Sequence, residues 1–364
     1  EGDVLDGLVR EVPTSSPAAG RVAGPGPDAA PTNPAPSPAP RSEPGPAPRS
    51  ERPDVPGGSF TEGTYTSGSG TRSYKLFVPS GHAEGPLPLV VMLHGCTQSP
   101  DDFATGTGMN VVAQERGFLV LYPAQAPRSN SSKCWNWFTP ADQRRGAGEP
   151  DLLSGMTRHV MQTHAIDPAR VYVAGLSAGG AMADILGREY PDLFAAVGVH
   201  SGLPQGAAHD VASAFAAMSQ GDAAGRLPGA MDFRAAMGGK APPSGGTGVG
   251  APTIVFHGDA DSTVHPSNGE RVIDAALRSG GGAASKATSQ TTRTSARGRN
   301  ATRTVHHRNG ASSTEPSLAE HWVVHGAAHA WSGGNASGSF ADARGPDASR
   351  EMIRFFEEHP LQRA

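Results

Sequence analysis

Short apolar runs alternate with helical patterns along most of the chain. The runs carry very few charged residues and several are rich in β-branched side chains, which is typical of parallel strands buried on both faces of a sheet. The strands predicted in this way lie at 87–95, 117–123, 171–174, 195–202, 252–258 and 320–326. Helices are predicted at 101–116, 149–164, 181–186, 268–278 and 349–359. This alternation indicates an α/β fold with a doubly wound, mostly parallel sheet flanked by helices.

Other segments depart from that pattern. Residues 63–66 and 72–79 alternate with period two and predict an antiparallel hairpin at a sheet edge, and 303–307 is a further strand candidate. The stretch 206–250 begins with a mildly helical segment and continues with glycine and proline, which predicts an insertion that covers the functional site. Residues 280–300 are rich in Gly, Ser, Thr and Arg and are predicted as a flexible surface loop.

The beginning of the chain has a different composition from the rest. Residues 1–58 are dominated by Pro, Ala, Ser and Gly with scattered charges. Such a segment buries too little apolar area to offset its ordering entropy, so we predict a disordered, partly polyproline-II tail or linker. A Pro-x-x-Pro ligand for a partner is the alternative. Residues 59–364 are then expected to form one catalytic domain.

Composition limits the classes of function. The chain has 364 residues and a formal net charge of −4, which gives no bulk attraction to nucleic acid. No run of about 18 apolar residues occurs, so no membrane span is expected. The first residue is Glu1 rather than methionine, so the lack of a basic and apolar leader says little about export. The two cysteines, Cys96 and Cys134, are consistent with one disulfide or with two buried free thiols.

The sequence Gly175-Leu176-Ser177-Ala178-Gly179 lies between a predicted strand and a predicted helix. This context favours a nucleophile elbow, in which the serine hydroxyl is pushed out at a strained turn and the glycines allow strand and helix to approach closely. The amide of Ala178, at the helix N-terminus, would face an oxyanion formed beside Ser177. The alternative interpretation is a Gly-rich turn that only joins two elements.

A nucleophilic serine needs a base and an acid, which in doubly wound hydrolases follow it in the order acid, then histidine. Asp261 follows the strand at 252–258 and is the predicted acid, with Asp259 as its competitor; a solvated turn carboxylate is the alternative for either. His329 follows the strand at 320–326 and is the predicted base, whereas His325 and His321 are predicted to be structural.

The backbone N–H of Cys96 follows an earlier strand, in His94-Gly95-Cys96-Thr97-Gln98, and is predicted to be the second oxyanion donor beside that of Ala178. A simple strand-end turn is the alternative. Trp135, Trp137 and Trp331 are candidates for an apolar wall that binds substrate, with core packing as the alternative.

Taken together, these motifs resemble the polyhydroxybutyrate-depolymerase-family esterases between about Tyr74 and His359. They are the segments 93–98, 134–138, 175–182, 257–261 and 329–331. The resemblance implies an α/β-hydrolase fold, no cofactor and no metal, hydrolysis of carboxylic esters, and the triad Ser177, Asp261 and His329. It also implies a Cys96–Cys134 disulfide, which favours a secreted or periplasmic protein over a cytoplasmic one.

We therefore expect a serine esterase for short-chain hydroxyalkanoate esters, such as poly- or oligo-3-hydroxybutyrate. A feruloyl or acetyl-xylan esterase is the second enzymatic interpretation, and a serine peptidase is the third. A non-catalytic binding protein with a hydrolase fold is the alternative from another class. The choice between polymer and oligomer, the acyl and alcohol specificity, and the oligomeric state remain open.

Overall fold

A computed structural model of the chain describes residues 57–82, 85–220, 250–279, 287–308 and 315–362. The tail predicted at 1–58 lies outside the described residues except for its last two positions. Most of the insertion predicted at 206–250 lies outside them as well, since residues 221–249 are not described.

Ten strands form one sheet in the order β1-β2-β4-β3-β5-β6-β7-β10-β9-β8. They are β1 Ser59–Ser67, β2 Gly70–Val78, β3 Leu87–Leu93, β4 Leu119–Pro123, β5 Ile166–Leu176, β6 Ala196–His200, β7 Thr253–Gly258, β8 Ala287–Ala296, β9 Arg299–Arg308 and β10 Ala319–Val324. The six strands from β4 to β10 in this order are parallel, and antiparallel hairpins flank them on both sides. Two short strands, β11 Trp331–Ser332 and β12 Ala341–Asp342, form a separate pair.

Helices cover both faces of this sheet. They are α1 Pro100–Thr107, α2 Met109–Arg116, α3 Gly148–Thr163, α4 Ala178–Glu189, α5 Val211–Gln220, α6 Ser267–Ser279 and α7 Ala348–Glu357. One buried cluster joins the sheet to α3, α4 and α6, and a second joins it to α1, α2 and α7. The predicted doubly wound, mostly parallel α/β architecture is confirmed, because apolar runs buried on both faces need helices on both sides.

Two local predictions need correction. The helix expected at 101–116 is two helices, because Gly108 adopts a left-handed conformation with φ +62° and ends the first of them. The flexible loop expected at 280–300 is wrong for residues 287–300, which belong to the antiparallel pair β8 and β9. Arg297 and Gly298 both have positive φ, so they form the kind of two-residue turn that matches the twist of a hairpin.

The polar composition of that hairpin explains the error. Strand β8 is exposed along nearly all its length at the edge of the sheet, where threonine satisfies β propensity and charged residues prevent edge-to-edge pairing. Among the helices in the described part of the chain, none combines the length and the apolar character that crossing a membrane requires.

Candidate active site

Ser177 lies at the turn between β5 and α4, near the middle of the sheet. Its backbone has φ 58° and ψ −121°, a strained conformation for a residue with a side chain. A Cβ on Gly175 would lie 2.3 Å from the carbonyl carbon of Gly179, and a Cβ on Gly179 would lie 2.0 Å from the backbone oxygen of Leu93. The two glycines are therefore required for the strand and the helix to approach, as the elbow prediction supposes.

Asp261 follows β7 and is almost completely buried. Its Oδ1 accepts hydrogen bonds from the backbone N–H groups of Thr263 and Val264, both at 2.9 Å. Its Oδ2 lies 2.7 Å from Nδ1 of His329, which follows the neighbouring strand β10. The structure thus brings the predicted acid and the predicted base together. Because Nδ1 of His329 faces Asp261, its Nε2 is the nitrogen that could act as the base.

A second histidine, His257 at the end of β7, also lies near the carboxylate of Asp261. Its fully buried Nε2 lies 2.8 Å from the carbonyl oxygen of Val264 and 3.5 Å from Oδ2 of Asp261. The shorter contact requires the Nε2–H tautomer, which directs positive potential at both oxygens. Burial raises the pKa of Asp261, but the donors of His257 and His329 outweigh it and hold that pKa well below its usual range.

The elbow and the His329 loop are attached to one residue, His200, at the end of β6. Its backbone oxygen accepts a hydrogen bond from N–H of Ser177 at 2.9 Å. Its Nε2 accepts one from N–H of Ser332 at 3.0 Å, three residues after His329. Burial, together with the neighbouring imidazoles of His257 and His329, lowers the pKa of His200 to about 3, so its ring is a neutral acceptor.

The competitor Asp259 belongs to a different pair. Its Oδ2 lies 2.8 Å from Nδ1 of His325, and its Oδ1 accepts a hydrogen bond from N–H of Gly326 at 2.6 Å. Nε2 of His325 lies 2.8 Å from Oγ1 of Thr302 on β9. His321, the other histidine predicted to be structural, is buried on β10, and burial lowers its pKa to about 3.

The turn after β3 lies against the elbow, since a Cβ on Gly95 would be 3.6 Å from Cβ of Ser177. The buried Gln98 holds this turn, because its Oε1 accepts a hydrogen bond from N–H of Gly95 at 2.9 Å. Within the described residues, the N–H groups of Cys96 and Ala178 donate no hydrogen bond to protein atoms. Both predicted oxyanion donors therefore remain available, and their role stays a prediction.

The predicted disulfide between Cys96 and Cys134 is present and joins this turn to the loop at 134–138. A second link runs beside it, because Nε1 of Trp135 donates to the backbone oxygen of His94 at 3.1 Å. Burial lowers the pKa of His94 to about 4. Two independent links therefore fix the segment that carries the N–H of Cys96.

The three tryptophans that were candidates for an apolar substrate-binding wall are all buried in the structure. Trp135, Trp137 and Trp331 are 0%, 4% and 1% exposed. Trp331 stacks on His200, and its Nε1 donates to Oγ of Ser349 at 3.1 Å. Core packing, the alternative interpretation, fits all three, because Trp135 and Trp137 belong to one buried apolar cluster and Trp331 to the other.

Sequence reasoning missed the residues that hold the site, namely His257, His200 and Gln98. Each had a visible signal, since each is a polar residue at or just after an apolar strand. The exposed aromatic Phe340 was also missed, because it lies in a short Gly- and Ser-rich loop without a pattern. Within the described residues, His, Cys, Asp and Glu side chains do not gather in threes in a way that would hold a metal ion.

Comparison with known proteins agrees with this geometry. The poly(3-hydroxyalkanoate) depolymerase C of Paucimonas lemoignei is 39% identical over 197 residues, which are 54% of this chain and 46% of that protein. The acetylxylan esterase A of Talaromyces purpureogenus is 32% identical over 203 residues, which are 55% of this chain and 51% of that protein. The chain thus spans about half the length of these curated relatives.

A solved structure of an acetyl xylan esterase from Aspergillus awamori superposes with a TM-score of 0.57 at 18% identity, covering 82% of this chain and 99% of that one. This likeness supports the α/β-hydrolase fold. A family model described as esterase PHB depolymerase matches residues 72–300, which is more than half of the chain. The chain therefore belongs to the PHB-depolymerase esterase family.

Proposed function

We propose that this protein is a serine hydrolase that cleaves carboxylic esters through an acyl-enzyme on Ser177. The observation that carries the proposal is the buried 2.7 Å contact between Asp261 and His329 at the sheet edge where the elbow presents Ser177. Residues 59–364 are proposed to be the catalytic domain. A solvated turn carboxylate would not be buried against an imidazole in this way.

In the proposed mechanism, Nε2 of His329 takes the proton of the Ser177 hydroxyl as its oxygen attacks the ester carbonyl. His329 then gives that proton to the alcohol oxygen, which leaves, and a water molecule activated by the same nitrogen hydrolyses the acyl-enzyme. Asp261 stays ionised throughout, because its pKa is far below its usual range. It fixes the Nδ1–H tautomer and stabilises the imidazolium.

The N–H groups of Cys96 and Ala178 are the proposed donors to the tetrahedral oxyanion. Their support comes from the contact between the β3 turn and the elbow, and from the position of Ala178 at the first turn of α4. Losing one such donor typically costs about 3 kcal/mol of transition-state stabilisation. The disulfide and the Gln98 hydrogen bond hold the turn before substrate arrives, so no reorganisation is needed during the reaction.

Short-chain hydroxyalkanoate esters are the proposed substrates, in keeping with the 39% identity to a protein named a poly(3-hydroxyalkanoate) depolymerase. A feruloyl or acetyl-xylan esterase is the second candidate, supported by a relative named feruloyl esterase B from Thermothelomyces thermophilus at 31% identity and by the acetylxylan esterase A. Secretion is proposed because the Cys96–Cys134 disulfide persists in oxidising compartments.

The proposal is tested by labelling the protein with a fluorophosphonate and measuring its intact mass. The wild-type protein should gain one adduct and Ser177→Ala none. A wild-type protein that gains no adduct would favour the non-catalytic binding protein. Turnover of 3-hydroxybutyrate oligomers, methyl ferulate, acetylated xylan and casein then separates the three enzymatic interpretations.

A further inference from the structure

Four large apolar side chains are exposed in the described part of the chain: Val111, Val211, Phe215 and Phe340. Phe340 differs from the rest because it touches the proposed base. Its ring lies edge-on to the imidazole of His329, with centroids 6.3 Å apart and planes at 79°. The residue is nevertheless 45% exposed, so Phe340 packs on His329 and still presents apolar surface to solvent.

The backbone around Phe340 is held by specific contacts. Phe340 has φ 50°, a conformation that a bulky residue adopts only where its surroundings impose it. Its carbonyl oxygen accepts a hydrogen bond from N–H of Trp331 at 2.7 Å. The preceding Ser339 donates its N–H to Asp102 at 2.8 Å and accepts one from Nε2 of Gln98 at 3.0 Å.

These contacts connect Phe340 to both halves of the proposed site. Gln98 binds Gly95 of the oxyanion turn through one end of its amide and Ser339 through the other. Trp331 is two residues after His329 in the loop of the base. The strained backbone, held by these hydrogen bonds, thus keeps an apolar ring beside the imidazole of His329.

The side of the ester that meets this ring follows from the reaction. His329 must deliver its proton to the alcohol oxygen, so the alcohol group lies against the imidazole in the acylation step. An apolar ring packed on the same imidazole is then in position to cover the alcohol rather than the acyl chain. We propose that Phe340 forms the wall of the alcohol-binding side of the site and selects esters of apolar or aromatic alcohols.

This inference rests on the proposed esterase activity and is tested with butyrate esters of ethanol, hexanol and benzyl alcohol. All three esters form the same butyryl-enzyme, so the deacylation step is identical for them. The parameter kcat/KM reports the acylation step, in which the alcohol is still bound. Phe340→Ala should lower kcat/KM for benzyl butyrate roughly tenfold more than for ethyl butyrate, as expected for losing an apolar contact.

Val111→Ala is the matched control. Val111 is also 45% exposed, but it lies on α2, far along the chain from the loops that carry Asp261 and His329. It should leave the ratio of the two esters unchanged. Phe340→Leu keeps an apolar side chain without a ring and should give an intermediate ratio, and it carries the test if the alanine variant does not fold. Inhibition by benzyl alcohol should weaken in parallel.

An equal loss for every alcohol would show that Phe340 only positions His329, and it would overturn the inference while leaving the esterase activity in place. A loss that follows acyl length, measured with ethyl acetate, butyrate and hexanoate, would also overturn it. Wild-type protein that hydrolyses none of these esters would overturn the esterase proposal itself and this inference with it.

Discussion

Two Asp–His pairs come from the same two loops, those after β7 and β10. Their Oδ2–Nδ1 distances are nearly equal, but their burial and their neighbouring groups differ. Asp261 and His329 are 2.7 Å apart, and Asp259 and His325 are 2.8 Å apart. The side chains of the first pair are 0% and 9% exposed, whereas both side chains of the second are 41% exposed. Because solvent screens charges in the second pair, only the first holds its carboxylate in a low-dielectric environment.

The hydroxyl groups considered with the two pairs, Thr302 and the predicted nucleophile Ser177, differ even more. Thr302 presents Oγ1 to His325 at 2.8 Å, so this pair has the donor order of a catalytic triad. Thr302 lies within β9, however, and its strand is paired on both sides with β8 and β10. Ladder pairing thus occupies both edges of β9 around Thr302. Ser177 lies instead at a strained turn before a helix N-terminus.

The comparison shows that a histidine between a carboxylate and a hydroxyl can occur on a regular strand, without the strained turn and the helix N-terminus of the elbow. The exposed pair instead joins the two loops, since Asp259 also accepts from N–H of Gly326 and donates its own N–H to the backbone oxygen of Val324 at 3.2 Å. We therefore assign the exposed pair a structural role and the buried pair the proposed chemistry.

The largest expected difference between the two sets concerns their hydroxyl groups. Ser177→Ala should lower kcat for p-nitrophenyl butyrate by more than about a thousandfold, because no other group can form the acyl-enzyme. Thr302→Val, which keeps the shape of the side chain, should leave kcat within about twofold. Steady-state kinetics of the two purified variants measures both effects. A comparable loss of kcat in both would contradict the assignment of different roles to the two hydroxyl groups.

The carboxylates give the next largest effect. Asp261→Asn should lower kcat/KM by about a thousandfold or more, because the amide neither fixes the Nδ1–H tautomer nor stabilises the imidazolium. Asp259→Asn should cost less than about tenfold, since it acts only through loop position. The reverse order of the two losses in the same ester assay would reassign the acid to Asp259.

A smaller effect is expected at His257, which supports only the buried pair. His257→Phe should lower kcat/KM roughly tenfold, because Val264 and Asp261 lose a buried donor that contributes about 1 kcal/mol. His257→Gln carries a donor at a similar position and should recover most of that activity. Equal activity of both variants would show that the Nε2–H of His257 contributes nothing to the site.

The smallest effect concerns stability and belongs to the exposed pair. Burial raises the pKa of Asp259, but the hydrogen bonds of His325 and Gly326 outweigh it and the pKa is lowered. Its stabilising contribution is therefore present above the unfolded pKa of about 3.9 and is lost as the pH falls below that value. After solvent screening it amounts to about 1 kcal/mol or less at pH 7.

Urea unfolding of the wild type and Asp259→Asn at pH 7 and at pH 3 measures this contribution. The difference in free energy of unfolding should be larger at pH 7 than at pH 3, because the contribution declines as the pH falls from the unfolded pKa through the lower folded pKa. A difference of the same size at both pH values would mean that the carboxylate charge is not its source.

Much of this architecture was predictable from the pattern of the chain. The uncharged runs became the parallel strands, and the Gly-x-Ser-x-Gly segment became a strand-to-helix turn with strained backbone at Ser177. Strand β8 and the first residues of β9 were not predicted as strands, because edge strands carry little apolar periodicity, whereas 303–307 within β9 was a strand candidate. The three tryptophans could not be placed by residue type, since a large aromatic ring suits a core and a binding wall equally well.

The sequence by itself indicated that the three predicted catalytic loops leave the sheet at one edge, because parallel strands with buried faces have their carboxyl ends there. It favoured Asp261 over Asp259, two residues away in the same loop, only by the spacing from the strand. Only the tertiary structure gave the two carboxylates different environments, since the one buried in the low-dielectric interior is paired with His329. Local spacing cannot encode that difference, because the solvent exclusion around each carboxylate comes from strands and loops distant in the chain.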